Sequence, residues 1–262
     1  MKPINWKIFF ILLTASVFGI LAILPYTLTL QAETLAKITL PIPLPILLAL
    51  QVTQNAVMFA IVIFIGLLLA KRIGLGLPIL EAKLAGESVT ARVKTILLPS
   101  VLPGILASIL IIALDKYIFG PGLVAQLGSA ANALNLQTSQ PPAWQGLLAS
   151  FYGGINEEIL MRLFLLTLLA WLGKFIRHTP EGQPTLIILW TANILTAILF
   201  GLGHLPVTAA IIQLTPLVIV RAIVLNGLAG LVFGYLYWTR GLESAMLSHF
   251  SADIVLHVLI VM

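Results

Sequence analysis

From Leu44 to Ala70 the chain carries no charged residue, and similar apolar runs occur at about Ile8 to Leu30, Thr95 to Leu114 and Thr185 to Gly203. Crossing a hydrocarbon core of about 30 Å takes roughly 20 such residues. Lipid offers the backbone no hydrogen-bond partners, so runs of this kind must be helices that satisfy their own N–H and C=O groups. Of the 262 residues, 60% are hydrophobic and only 9% charged, with a mean hydropathy of +1.10. The chain therefore reads as an all-α polytopic membrane protein whose surroundings are the lipid bilayer. The net charge of +5 is spread over short connections and forms no stripe or tail, which excludes nucleic acid as a partner. With no cysteine there is no disulfide, thiolate metal site or cysteine nucleophile.

The first run resembles a signal-peptide core behind Lys2 and Lys7, but it is long and has no evident small-x-small cleavage site, so it reads as a retained span. The second follows the Pro41-Ile42-Pro43-Leu44-Pro45 turn and ends at Lys71-Arg72. The connection from Lys71 to Lys94 holds five basic and two acidic residues, which places it and the N-terminus on the cytoplasmic side. The third run ends at Asp115-Lys116, and a polar, uncharged stretch up to Pro141-Pro142 reads as an outside loop, partly helical. A long helix follows from Ala143 to Phe175, then the run at Thr185 to Gly203 and a last helix from Glu243 to Met262. Residues 206–238 are too long for one upright span and short for two.

Inside the Ala143 to Phe175 helix stands Glu157-Glu158-Ile159-Leu160-Met161-Arg162. Each charge at bilayer depth costs at least about 2.5 kcal/mol, so three in six residues need partners or a wet cavity. Residues four apart share a helix face, which makes Glu158 and Arg162 an ion pair and turns Glu157 toward a different neighbour. One carboxylate is then structural and the other is available for proton transfer. A packing network or a polar conduit would explain the triplet equally well.

Three of the four histidines also lie on membrane helices. His204 ends Phe200-Gly201-Leu202-Gly203, whose glycines admit a close neighbour. His249, Asp253 and His257 follow one another at intervals of four and line one stripe of the last helix. A glutamate, two histidines and an aspartate on three apolar helices point to one inward-facing site.

In order and spacing, Glu157-Glu158-x-x-x-Arg162, Phe200-x-x-x-His204 and His249-x-x-x-Asp253 resemble the three motifs of the CPBP intramembrane proteases. That family comprises the type II CAAX prenyl endopeptidases and bacterial Abi and bacteriocin-processing relatives. The stretch from Asn226-Gly227 through Phe233-Gly234-Tyr235 to Arg240-Gly241 is similar to the segment before the family's last motif. The resemblance covers residues 143–262 and implies a four-helix catalytic core, with residues 1–142 supplying additional spans and the outside loop. It implies hydrolysis of a peptide bond without a covalent intermediate, with no cofactor and no metal. Glu157 would be the general base, His204 would position the water, and His249 would donate to the oxyanion; Glu158 and Arg162 would support them. Asp253 stands where the prenyl-protein endopeptidases usually have asparagine; we read it as orienting His249 and stabilising its imidazolium. The partner would be a peptide or protein substrate, membrane-anchored and prenylated ones included.

If residues 206–238 crossed once, His204 and the 240–243 connection would lie on opposite faces, with His249 roughly 12 Å from its own end. A shared site then favours two crossings and about eight transmembrane helices, seven being the other count, with Arg221 near the turn. Charge counting puts His204 toward the outer face, whereas prenyl-protein endopeptidases act from the cytosolic side. Two other functional classes remain open on the residues alone. One is a non-enzymatic binding, immunity or solute-pathway protein on the same fold. The other is a zinc-dependent membrane protease, although no His-Glu-x-x-His helix is present.

Overall fold

The computed structural model describes residues 4–37, 39–134 and 141–262; Lys2 and positions 135–140 of the expected outside loop lie outside the described residues. Five helices are long and apolar enough to cross a membrane: α1 (Trp6–Leu30), α2 (Leu44–Ala70), α4 (Thr90–Ala131), α6 (Leu186–Ala209) and α7 (Pro216–Arg240). Between α2 and α4 lies the short α3 (Pro78–Leu84). Two further long helices carry the polar motifs, α5 over residues 143–173 and α8 (Leu242–Asp253), whose winding continues through Ile254–Leu259. The protein is thus all-α and polytopic, as the apolar runs require.

Helix starts follow local chemistry. The Asn5 side chain caps α1 by accepting from the Lys7 N–H at 3.1 Å, and Thr215 caps α7 by accepting from the Val218 N–H at 3.3 Å. Proline at the first turn of α2 and of α7 costs no hydrogen bond, because those N–H groups have no helical partner. Outward faces are apolar, with Leu98 68% and Ile61 56% exposed, whereas Ser100, Ser108, Asn156, Glu158, Arg162 and Asn193 are buried. This distribution suits a bundle surrounded by lipid tails, whose helices adhere through close packing and internal polar contacts.

Residues 216–240 form one unbroken helix of 25 residues, preceded by the short turn of helix Leu205–Ala209. The expected pair of crossings in 206–238, with Arg221 at its turn, is therefore replaced by a single crossing, which leaves seven long helices among the described residues. At 1.5 Å per residue α7 is about 37 Å long, more than a bilayer core, so it accommodates by tilt or protrusion. Arg221 lies early in α7 and holds Asp115 by two bonds, 2.6 Å from Nε and 2.7 Å from Nη2. That pairing also explains why α4 does not stop at Asp115-Lys116. The charge is satisfied within the bundle, and the chain winds on through a π turn at Asp115–Phe119 into Gly120–Leu127.

Exposure separates this ion pair from the one between Arg92 and Glu87. The side chains of Arg221 and Asp115 are 11% and 13% exposed, against 51% and 53% for Arg92 and Glu87. Removing one partner of a sequestered pair strands the other charge, whereas exposed pairs contribute about 0–1 kcal/mol. Asp115→Asn is expected to lower the thermal midpoint clearly and Glu87→Gln hardly at all; equal shifts in thermal unfolding would refute this.

The basic connections gather at one end of the bundle, in keeping with the charge count. Lys174 Nζ donates to the Arg72 carbonyl at 3.5 Å, and the Arg72 guanidinium lies over the Trp171 ring. The Leu242 N–H donates to the Gly76 carbonyl at 3.0 Å, and Glu243 Oε1 accepts from the first turn of α3, at Ile79 and Leu80. Glu243 thereby pins the start of α8, seven residues after Leu242 of which comes His249.

Candidate active site

Helix α5 runs through the middle of the bundle and leaves α geometry where its charges lie. It is π-wound over Tyr152–Glu157 and again over Ile159–Leu166. Hydrogen bonds from i to i+5 turn the chain less per residue than in an α-helix, so sequence neighbours project closer to one direction. Glu157 and Glu158 consequently both reach His249 of α8. Glu158 Oε1 is 2.7 Å from His249 Nδ1, and Glu157 Oε2 is 3.6 Å from Nε2. Glu158 also makes the expected intrahelical pair, Oε1 to Arg162 Nη1 at 3.0 Å, with both side chains fully buried. Glu157 does turn to a neighbour other than Arg162, but on the π-wound helix that neighbour is the imidazole that Glu158 also holds, so the two carboxylates flank one ring.

Arg162 has further support. Its Nη2 donates to the Gly230 carbonyl of α7 at 3.0 Å, and its guanidinium lies 5.0 Å from the ring centroid of Phe200 and 5.4 Å from that of Phe233. Ring faces and a carboxylate together replace the water that a buried guanidinium lacks. The same two rings hold His249: Phe233 stacks on it at 4.5 Å, and Phe200 meets it edge-on at 5.8 Å.

His204 packs on Phe200 as well, with ring centroids 4.8 Å apart. One phenyl ring thus touches both imidazoles, and a single crossing of α7 proves compatible with their proximity. The Phe200 side chain spans the gap that the rise along upright helices would leave between the two histidines. Nδ1 of His204 lies 2.8 Å from the Phe200 carbonyl. A carbonyl can only accept, so Nδ1 donates and the neutral ring carries its lone pair on Nε2.

Asp253 follows His249 by one turn, with Oδ1 3.6 Å from Nε2. It comes this close to α5 because position 153 is glycine: a Cβ there would collide with Asp253 Oδ2 and stand 3.1 Å from His249 Nε2. The atom at hydrogen-bonding distance from His249 is on Glu158, on the opposite side of the ring from Asp253. His257 lies farther along α8, where Tyr26 Oη of α1 approaches its Nδ1 at 3.4 Å.

All six residues singled out from the sequence therefore come together, five of them linked by direct contacts and His204 through Phe200. The sequence reading assigned no role to Phe200, Phe233, Gly153 or Gly230. Phe200 and Phe233 both stood inside quoted motif segments, and the pair Gly153-Gly154 in an apolar helix signals close approach. Nothing local marked the Phe233 ring as the one stacked on His249.

Residues 139–255 match the family described as type II CAAX prenyl endopeptidase Rce1-like. No curated protein and no solved structure matches the chain. The match spans α5 to α8 and includes every residue of the three motifs. The match carries all three motifs over somewhat less than half of the chain, and it supports membership of the CPBP membrane proteases, to which the type II CAAX prenyl endopeptidases belong.

Proposed function

We propose that the protein is an intramembrane endopeptidase that hydrolyses a peptide bond with a water activated by Glu157, and that the four helices after residue 142 form its catalytic core. The observation that carries this reading is the arrangement about His249. Glu158 holds Nδ1 at 2.7 Å, while Glu157 and Asp253 converge on Nε2 at 3.6 Å each. Glu157 is the most open of the three carboxylates, its side chain 24% exposed against 12% for Asp253 and none for Glu158.

In the first step Glu157 takes a proton from water as the oxygen attacks the scissile carbonyl carbon. His204 accepts a hydrogen bond from the same water at Nε2. The carbonyl π electrons move onto oxygen, and His249, as an imidazolium whose Nδ1–H is held by Glu158, donates to that oxyanion from Nε2–H. Collapse of the tetrahedral intermediate breaks the C–N bond, and Glu157 returns its proton to the leaving amine. Glu158 fixes the ring from the Nδ1 side, with Asp253 steadying Nε2. The substrate class is a CAAX-type peptide, whose prenyl group suits an entrance from the bilayer.

The test uses the purified protein in lipid nanodiscs with a quenched fluorogenic farnesylated CAAX peptide and its unprenylated counterpart. Cleavage of the farnesylated peptide supports the reading, and preference over the unprenylated form supports the substrate class. Binding of the peptide without turnover would favour a non-enzymatic role. Chelation is expected to leave the rate unchanged; loss restored by added zinc would transfer the case to a metalloprotease. Asp253→Asn is expected to retain more activity than Asp253→Ala, since asparagine keeps a hydrogen-bonding oxygen at the same position. Equal losses would count against an orienting role.

A further inference from the structure

Helices α1, α2 and the α-helical part of α4 (Thr90–Leu114) lie outside the family match, and each contains one glycine: Gly19, Gly66 and Gly104. Every one of them abuts a residue adjacent to a site residue. A Cβ at Gly19 would collide with Oδ1 of Asn156, the residue before Glu157. A Cβ at Gly66 would stand 2.8 Å from the carbonyl oxygen of Leu163, the residue after Arg162. A Cβ at Gly104 would collide with the carbonyl oxygen of Ser248, the residue before His249.

Two of the three approaches, at Gly19 and Gly104, have a polar anchor close by. Asn156 Nδ2 donates to the Ser16 carbonyl at 3.1 Å, three residues before Gly19. Ser100 and Ser244 share a hydrogen bond of 2.6 Å, four residues before Gly104 and Ser248 respectively. Where one helix meets the carbonyl oxygens of another without an intervening side chain, the axial position of the second helix is set by backbone contact. A shift of α8 along its axis moves His249 relative to Glu158, and a shift of the Asn156 turn moves Glu157.

We infer that α1, α2 and α4 are positioning elements for the site. Gly19 and Asn156 set Glu157, Gly66 sets Arg162, and Gly104 sets His249. The geometric part stands apart from the proposed activity; its kinetic consequence rests on that reading. A merely structural role would lower stability without touching the His249–Glu158 bond.

The chain has four histidines, which makes ring signals in ¹⁵N-histidine-labelled protein in bilayers separable, with His249 assigned by its loss in His249→Gln. Gly104→Ala is expected to shift or broaden the His249 Nδ1 signal. Gly173→Ala, whose Cβ crowds only the Ile188 side chain, is expected to leave that signal in place. In parallel, Gly19→Ala is expected to lower kcat on the farnesylated peptide about tenfold or more at nearly constant KM, a loss of about 1.4 kcal/mol. Asn156→Ala, which removes the anchor to the Ser16 carbonyl, is expected to lower kcat likewise. A His249 signal unchanged in Gly104→Ala, or shifted equally in Gly173→Ala, overturns the inference. Should Gly104→Ala not fold, full kcat in Gly19→Ala does so. Activity surviving in Glu157→Gln would instead overturn the proposed mechanism and leave the resonance result standing.

Discussion

Glutamine at position 157 is expected to abolish peptide cleavage while the protein unfolds at a temperature close to that of wild type. The two halves of this result have separate causes. Glu157 makes its charge contact with His249 at 3.6 Å and its side chain is one-quarter exposed, so the native fold places little weight on its charge. Glutamine keeps the shape and an acceptor oxygen but cannot take a proton from water. Loss of a general base costs roughly 10²–10⁴-fold in rate. The measurement is turnover of the farnesylated peptide beside a thermal unfolding curve. Retained turnover would sink the assignment of the base, and collapse of the fold would make Glu157 a structural residue.

The opposite outcome is expected at Arg162. Its side chain and that of Glu158 are fully buried and 3.0 Å apart, in a bundle otherwise lined by phenyl rings and helix backbone. Arg162→Ala removes the cation and leaves Glu158 buried without its compensating charge, a change of about 3–5 kcal/mol. It also empties the space between Phe200 and Phe233. Combining Arg162→Met with Glu158→Gln removes both charges and retains volume, so the double variant is expected to unfold at a higher temperature than Arg162→Ala. It should nevertheless be inactive, because the acceptor for His249 Nδ1 has become neutral. If Arg162→Ala proves as stable as wild type, the pair does not hold the site together.

These two residues illustrate what was legible in the sequence. The spacing of Glu158 and Arg162 announced an intrahelical pair, since residues four apart meet on one face and lone charges are costly in lipid. The same rule turned Glu157 toward a neighbour other than Arg162, but not onto the ring that Glu158 also holds. It assumed α-helical winding, and the π winding of Tyr152–Glu157 and Ile159–Leu166 brings adjacent carboxylates to opposite nitrogens of one ring. No residue pattern specifies that winding. It is observed where Gly153 and Gly154 let α8 approach α5, with Phe250 and the Met246 carbonyl against Gly154.

The helical path between His204 and His249 was the larger difference. Hydropathy and length alone could divide residues 206–238 into one span or two, because an apolar run does not encode its own tilt. Thr215 and Pro216 begin one helix that runs unbroken to Arg240, and the Asp115–Arg221 pair secures its early turns against α4. The partner of Arg221 is 106 positions away in the chain, beyond the reach of local reading.

The amino-acid sequence by itself determined that the chain is a helical membrane bundle and which few residues could carry chemistry in it. Apolar runs in lipid have only helices open to them, and charges in such runs are too costly to be incidental. Tertiary structure alone decided how those residues meet: Glu158 and Glu157 on either side of His249, Phe200 against two histidines, and three N-terminal glycines against the neighbours of Glu157, Arg162 and His249. Contacts between distant helices depend on winding, tilt and backbone approach, and these arise from the packed bundle rather than from any one segment.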